Sequence, residues 1–177
     1  MKDKIYEIID KMEGSLLGIG IDDKGILEKI ETNSKINLCY ILSNDKKGNS
    51  KKFRLFKKGK NKKVNIKKLK NYFKIKSIDN ILCDYDVVKK HIRSFQGGSV
   101  YINKGKLYIY GKTNDLKELD KKYKRYTDDI KLIKKDNWFI LSVNNEKTKS
   151  TIIKDGKYMI CDFFTDTLDK LTDLLTN

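Results

Sequence analysis

Four sets of residues in this sequence have the types and spacing that chemistry needs. Gly18 and Gly20 close the apolar run SLLGIGI, with Asp22 just behind them. Glycines at the end of a strand let a ligand approach the backbone closely, and the same pair also serves as a plain turn. Both roles stand open at this point, but Asp23 occupies the third place of G-x-G-x-x-G and argues against a dinucleotide site. Asp84 and Tyr85 close a second apolar run, IDNILCDY, where a carboxylate can accept a proton and a ring can stack on a planar substrate. The simpler role there is a helix N-cap, because Asp84 or Asp86 precedes VVKKHI. Lys57, Lys58, Lys60, Lys62 and Lys63 lie beside Phe53, Arg54 and Phe56. A basic loop with flanking rings can track a nucleic-acid backbone while the rings stack on bases. A solvated loop in a lysine-rich chain is the plainer reading, and Tyr123–Tyr126 has the same character. His91, the only histidine, has no Cys or acid cluster at ligand spacing, so no metal site is expected.

The elements that must position these residues follow from apolar periodicity. Ile5, Ile8, Ile9 and Met12 repeat at helical spacing, and Gly14 is expected to stop that helix. Residues 15–21 form a buried strand, followed by a turn and a helix carrying Ile26, Leu27 and Ile30. Residues 36–42 form a second buried strand, and FRLFKK alternates as a half-exposed one. Ile66, Leu69, Tyr72 and Phe73 restore helical spacing. Residues 78–85 form a third core strand, then Val87, Val88, His91, Ile92 and Phe95 share a helix expected to end at Gly97-Gly98. SVYINKGKLYIYGK is expected to be a hairpin around Asn-Lys-Gly. Asn114 is a candidate cap for a helix with Leu116, Leu119 and Tyr123 on one face. A second hairpin turns at Lys135-Asp136-Asn137, with Trp138 as core or edge packing, and a third turns at Asp155-Gly156. A helix carrying Leu168, Leu171, Leu174 and Leu175 comes last.

Strands alternating with helices imply an α/β domain, a three-layer arrangement whose mixed, mostly parallel sheet ends in an antiparallel hairpin. The 177 residues suit one domain spanning 1–177. No stretch reaches the roughly 20 apolar residues that cross a bilayer. The three cysteines each sit in an apolar stretch and read as buried free thiols, which implies a reducing, cytoplasmic setting. A net charge of +16 suggests RNA or DNA as a partner. That inference is discounted, since Arg occurs only at 54, 93 and 125 while Pro and Ala are absent, a bias typical of AT-rich codons. Lysine also lacks arginine's bidentate geometry for phosphates and bases.

The order of elements over residues 15–145 resembles the class I S-adenosylmethionine (SAM) methyltransferases. SLLGIGID is similar to motif I of that family, IDNILCDY to its fourth strand, and KLYIYGK with the segments after it to its fifth strand, helix and terminal hairpin. The resemblance implies a Rossmann-like fold with SAM as cofactor. Gly18, Gly20 and Asp22 would then border the cofactor, Asn44 or Asp45 its ribose, and Asp84 with Tyr85 the target. The chain departs from the family in three places. Ser43-Asn44 replaces the usual acid at the end of strand 2, and Cys83-Asp84-Tyr85 replaces the Asn-Pro-Pro-aromatic motif. The stretch from 42 to 53 is shorter than the dozen or more residues of a parallel crossover, so the third strand is expected to pair antiparallel.

Two functions follow. One is a SAM-dependent methyltransferase, acting on RNA or DNA if active, or its descendant with weakened or lost activity. The other is a non-enzymatic module that keeps the fold and binds nucleic acid or protein. Side chains filling the space over Gly18 and Gly20 would favour the second.

Overall fold

A computed structural model of the chain describes residues 1–42, 53–55, 69, 72–112, 116, 119, 123, 124, 127 and 129–145. Within them the strands are β1 (Gly14–Ile19), β2 (Ile36–Leu42), β3 (Phe53–Leu55), β4 (Ile78–Asp84), β5 (Asn103–Lys112), β6 (Ile130–Lys135) and β7 (Trp138–Asn144). The helices are α1 (Lys2–Asp10), α2 (Lys24–Thr32), α3 (Tyr85–Val88) and α4 (Ile92–Ile102), with a 3-10 turn at Lys89–His91 between the last two.

The strands form one seven-stranded sheet in the order β3-β2-β1-β4-β5-β7-β6. β1 runs parallel to β2 and β4, while β7 is antiparallel to both β5 and β6. Successive side chains of a strand point to opposite faces. Leu16 and Leu82 therefore join one core with Ile5, Ile9 and Met12, the end of the α1 segment, and with Ile26 and Ile30 of α2. Leu17, Ile81 and Cys83 join the other core with Val88, Phe95 and Ile102. Covering both faces explains why β1 and β4 read as unbroken apolar runs rather than alternating ones.

The α/β class, the mixed sheet and the β6–β7 hairpin agree with the expectations, and β1 sits between β2 and β4. Three local expectations are corrected. β3 pairs parallel to β2, with Cys39 opposite Phe53 and Ile41 opposite Leu55. The dozen-residue minimum applies to a chain that must retrace a whole strand. β3 covers only the last part of β2, so its first residue lies level with Cys39, about 10 Å back at 3.3 Å per residue.

Gly97-Gly98 does not end a helix, because α4 runs through both to Ile102. Each glycine costs roughly 1 kcal/mol in a helix. Burial of Phe95, Val100 and Ile102 outweighs that, and Leu69 packs on bare Gly98 with its Cβ 3.4 Å from where a Gly98 Cβ would stand. The expected hairpin over 99–112 is instead the end of α4 followed by the single strand β5. Gly105 lies inside that strand, against the backbone of Asp79, so it marks a close approach rather than a turn.

Smaller shifts concern boundaries. α1 ends at Asp10, and Gly14, at φ +79°, opens β1. The single helix expected over 87–95 is broken by the 3-10 turn that contains His91. Leu116, Leu119 and Tyr123 are buried, as their spacing requires. Ile66, the hairpin at Asp155-Gly156 and the helix at Leu168–Leu175 lie outside the described residues.

Candidate functional site at the carboxyl ends of the strands

In open α/β sheets ligands bind beyond the carboxyl ends of the strands. Here that edge is built from the ends of β2, β1, β4 and β5. Gly20 follows β1 at φ +68°, a conformation that side chains other than glycine's rarely adopt. Its N–H donates to Leu42 O at 2.9 Å, so the group continues the β1–β2 ladder. A Cβ on Gly20 would fall on the side chain of Val87 and 3.4 Å from Asp84 Cβ. A Cβ on Gly18 would lie 2.6 Å from Ile41 Cδ1 and 3.1 Å from Ile21 Cγ1. The place a side chain would take on either glycine is thus occupied by the chain's own side chains, and Gly18 packs inside the core shared with α1 and α2.

Asp22 is exposed at this edge. Asp23, which the sequence reading did not single out as a cap, accepts from Ile26 N at 3.1 Å and caps α2. Its position just before an apolar helical stretch is the signal that could have found it. The side-chain bond from Lys2, 2.6 Å away, holds the Asp23 carboxyl below its ordinary range.

Asp84 ends β4 and caps α3, accepting from Asp86 N at 2.8 Å. Burial pushes its carboxyl above the ordinary value, and the charges of Asp86 and Asp22 add to the rise against that hydrogen bond. Asp86 is paired with Lys89 Nζ at 2.7 Å. Tyr110 stands opposite Asp84 across β4 and β5, and burial followed by the Asp84 charge drives its phenol upward. Only the strand register brings these two together, so the sequence carried no sign of Tyr110. Tyr85 is partly buried, edge-on to Phe139 at 5.4 Å between ring centres. Bare Gly111 makes room for it, since a Cβ there would lie 2.8 Å from Tyr85 Cβ.

The edge therefore brings Gly20, Asp22, Asp84 and Tyr85 together, with the last two engaged as a cap and as packing. Asn44, Asp45 and the lysines at 57, 58, 60, 62 and 63 lie outside the described residues. Cys39 and Cys83 are buried, and burial raises the Cys83 thiol. Cys161 lies outside the described residues. Among the described residues no three His, Cys, Asp or Glu side chains group as a metal site. No helix among them is long and apolar enough to cross a membrane.

A sheet in the order 3-2-1-4-5-7-6, with an antiparallel seventh strand and a glycine turn after β1, defines a Rossmann-like, class I SAM methyltransferase-like fold. Solved structures share it. A SAM-dependent methyltransferase from Aquifex aeolicus matches with a TM-score of 0.56 at 12% identity, over 80% of this chain and 88% of that one. A candidate RNA methyltransferase from Pyrococcus horikoshii matches at 0.52 and 12% identity, over 83% and 82%. A conserved hypothetical protein from Streptococcus pyogenes matches at 0.56 and 9% identity, over 85% and 98%. The chain spans just under half, 46%, of two other methyltransferases with matching structures, one of them a candidate. No protein-family profile matches the sequence, and no curated protein sequence does either.

Proposed function

We propose that this chain is a methyltransferase-like domain that has lost SAM chemistry and works as a nucleic-acid-binding module, organised as a single domain over 1–177. The occupied space over Gly18 and Gly20 carries this reading. A cofactor site of this fold needs bare backbone facing the ligand, yet both glycines are buried, Ile41, Ile21 and Val87 stand where their side chains would be, and the Gly20 N–H is spent in the sheet. The residues present therefore fit SAM poorly. Asp84 and Tyr85, the candidates for proton transfer and substrate stacking, have structural duties that account for their positions. The +16 charge favours a polyanionic partner, and the Pyrococcus neighbour's description as a candidate RNA methyltransferase points the same way.

Calorimetric titration with SAM tests the proposal. Absent or millimolar binding is expected, and a micromolar Kd with stoichiometric uptake would overturn it. One observation favours a second reading, an active methyltransferase. Asp22, Asp84 and Asp86 make the edge acidic, which suits the cationic sulfonium and ammonium groups of SAM. On that reading Gly18, Gly20 and Asp22 border the cofactor, Asn44 or Asp45 holds the ribose, and Asp84 and Tyr85 meet the substrate. The same titration separates the two.

A further inference from the structure

β6, last in the sheet order among the described residues, carries Lys131, Lys134 and Lys135, all exposed, and the exposed Ile133. Strand register sets three residues side by side at the hairpin end. Lys112 of β5 pairs with Trp138 of β7, which pairs with Lys135 of β6. Directly paired residues project to the same face, and neighbouring strands lie about 4.8 Å apart. The indole is thus flanked by a lysine on each side, and Lys112 Nζ lies 5.0 Å from the ring centre. The next row on this face is Tyr110, Ile140 and Ile133, and the row beyond holds Tyr108, Ser142 and Lys131. Of the acids here, Asp136 occupies the turn and Asp129 accepts from Asn144 Nδ2 at 3.0 Å.

Lysines on an edge strand commonly serve to block edge-to-edge pairing. That purpose explains Lys131, Lys134 and Lys135. It does not apply to Lys112, which lies two strands in and holds its ammonium over the ring of Trp138. Trp138 is half-buried against the core with the Lys112 ammonium over its ring. A flexible lysine can swing to a phosphate and yield that face to an unpaired base, joining stacking ring and cations as single-stranded nucleic acid requires.

We propose that the Lys112–Trp138–Lys135 row, extended by Lys131, binds single-stranded nucleic acid, with Trp138 stacking on a base and the lysines neutralising phosphates. This rests on the binding-module reading above and assigns it a surface. It uses none of the lysines at 57, 58, 60, 62 and 63.

Trp138 is the chain's only tryptophan, so its emission reports on this row alone. The full chain is titrated with a short oligouridylate at several salt concentrations, following indole fluorescence and the anisotropy of a labelled oligonucleotide. Binding with quenching is expected, weaker for a duplex of the same length. In the K112Q/K135Q double variant the log–log salt slope should fall in magnitude by about 1.4, at about 0.7 per phosphate contact for single strands. Both lysines are exposed, so the variant should fold. Binding with constant indole emission and an unchanged slope in the variant would overturn this surface while leaving the module reading intact. Equal binding and quenching by duplex would overturn the stacking role. No binding to any oligonucleotide would overturn both this surface and the nucleic-acid part of the module reading.

Discussion

Replacing Gly20 with alanine separates a glycine kept for a ligand from one kept for the fold. At φ +68° an alanine pays for a left-handed backbone, about 1–2 kcal/mol. Its Cβ also enters the space of the Val87 side chain, and overpacking of this kind adds about 1–3 kcal/mol. Together the substitution should cost about 2–5 kcal/mol, a large fraction of the 5–15 kcal/mol typical of a domain. With a urea m-value of about 2 kcal/mol/M, the midpoint falls by about 1–2.5 M. The partner substitution Val87→Ala removes the obstructing methyls. The double variant should recover the overpacking part, a coupling of about 1–3 kcal/mol, while the backbone part persists. Urea melts of the wild type, both single variants and the double variant complete the cycle. A Gly20→Ala cost below about 1 kcal/mol, or a coupling near zero, would refute the packing account.

Two further outcomes follow from burial at the same edge. Because the folded Asp84 carboxyl titrates above its ordinary 3.8, the folded state holds that proton more tightly than the unfolded state, and this group's contribution to stability falls as pH rises from 3.8 through the folded value. Asp84→Asn keeps an N-cap side chain and removes the titration, so its stability relative to wild type should rise across that window and then level off; a pH-independent difference between the two urea-melt series would count against it. Of the three cysteines, Cys39 and Cys83 are buried, so a thiol reagent should leave at least those two unmodified in the native protein and reach them only at the rate of unfolding. Rapid native modification of either thiol would contradict the burial.

Much of the architecture was legible in the chain because burial on both faces writes a simple pattern. The runs SLLGIGI, INLCYIL and IDNILCDY are nearly all apolar, and they became β1, β2 and β4, with the central pair where both cores need them. Helical spacing located α1 and α2, and the alternation around Asp136 located the β6–β7 hairpin, whose turn holds that residue at φ +53°. Local chemistry misled where tertiary burial outweighed it. Gly97-Gly98 reads as a stop in isolation, but α4 is held by Phe95 and Ile102 and continues. The site was half legible. Gly18, Gly20, Asp22, Asp84 and Tyr85 were marked by their place in or after apolar runs, and the structure brings all but the core-packed Gly18 to one edge. Their roles depend on what stands opposite. Val87 over Gly20, Ile41 over Gly18, Tyr110 beside Asp84 and Lys112 over Trp138 are partners set by strand register and helix packing. Those contacts join residues far apart along the chain, and a one-dimensional period carries no information about which of them will touch.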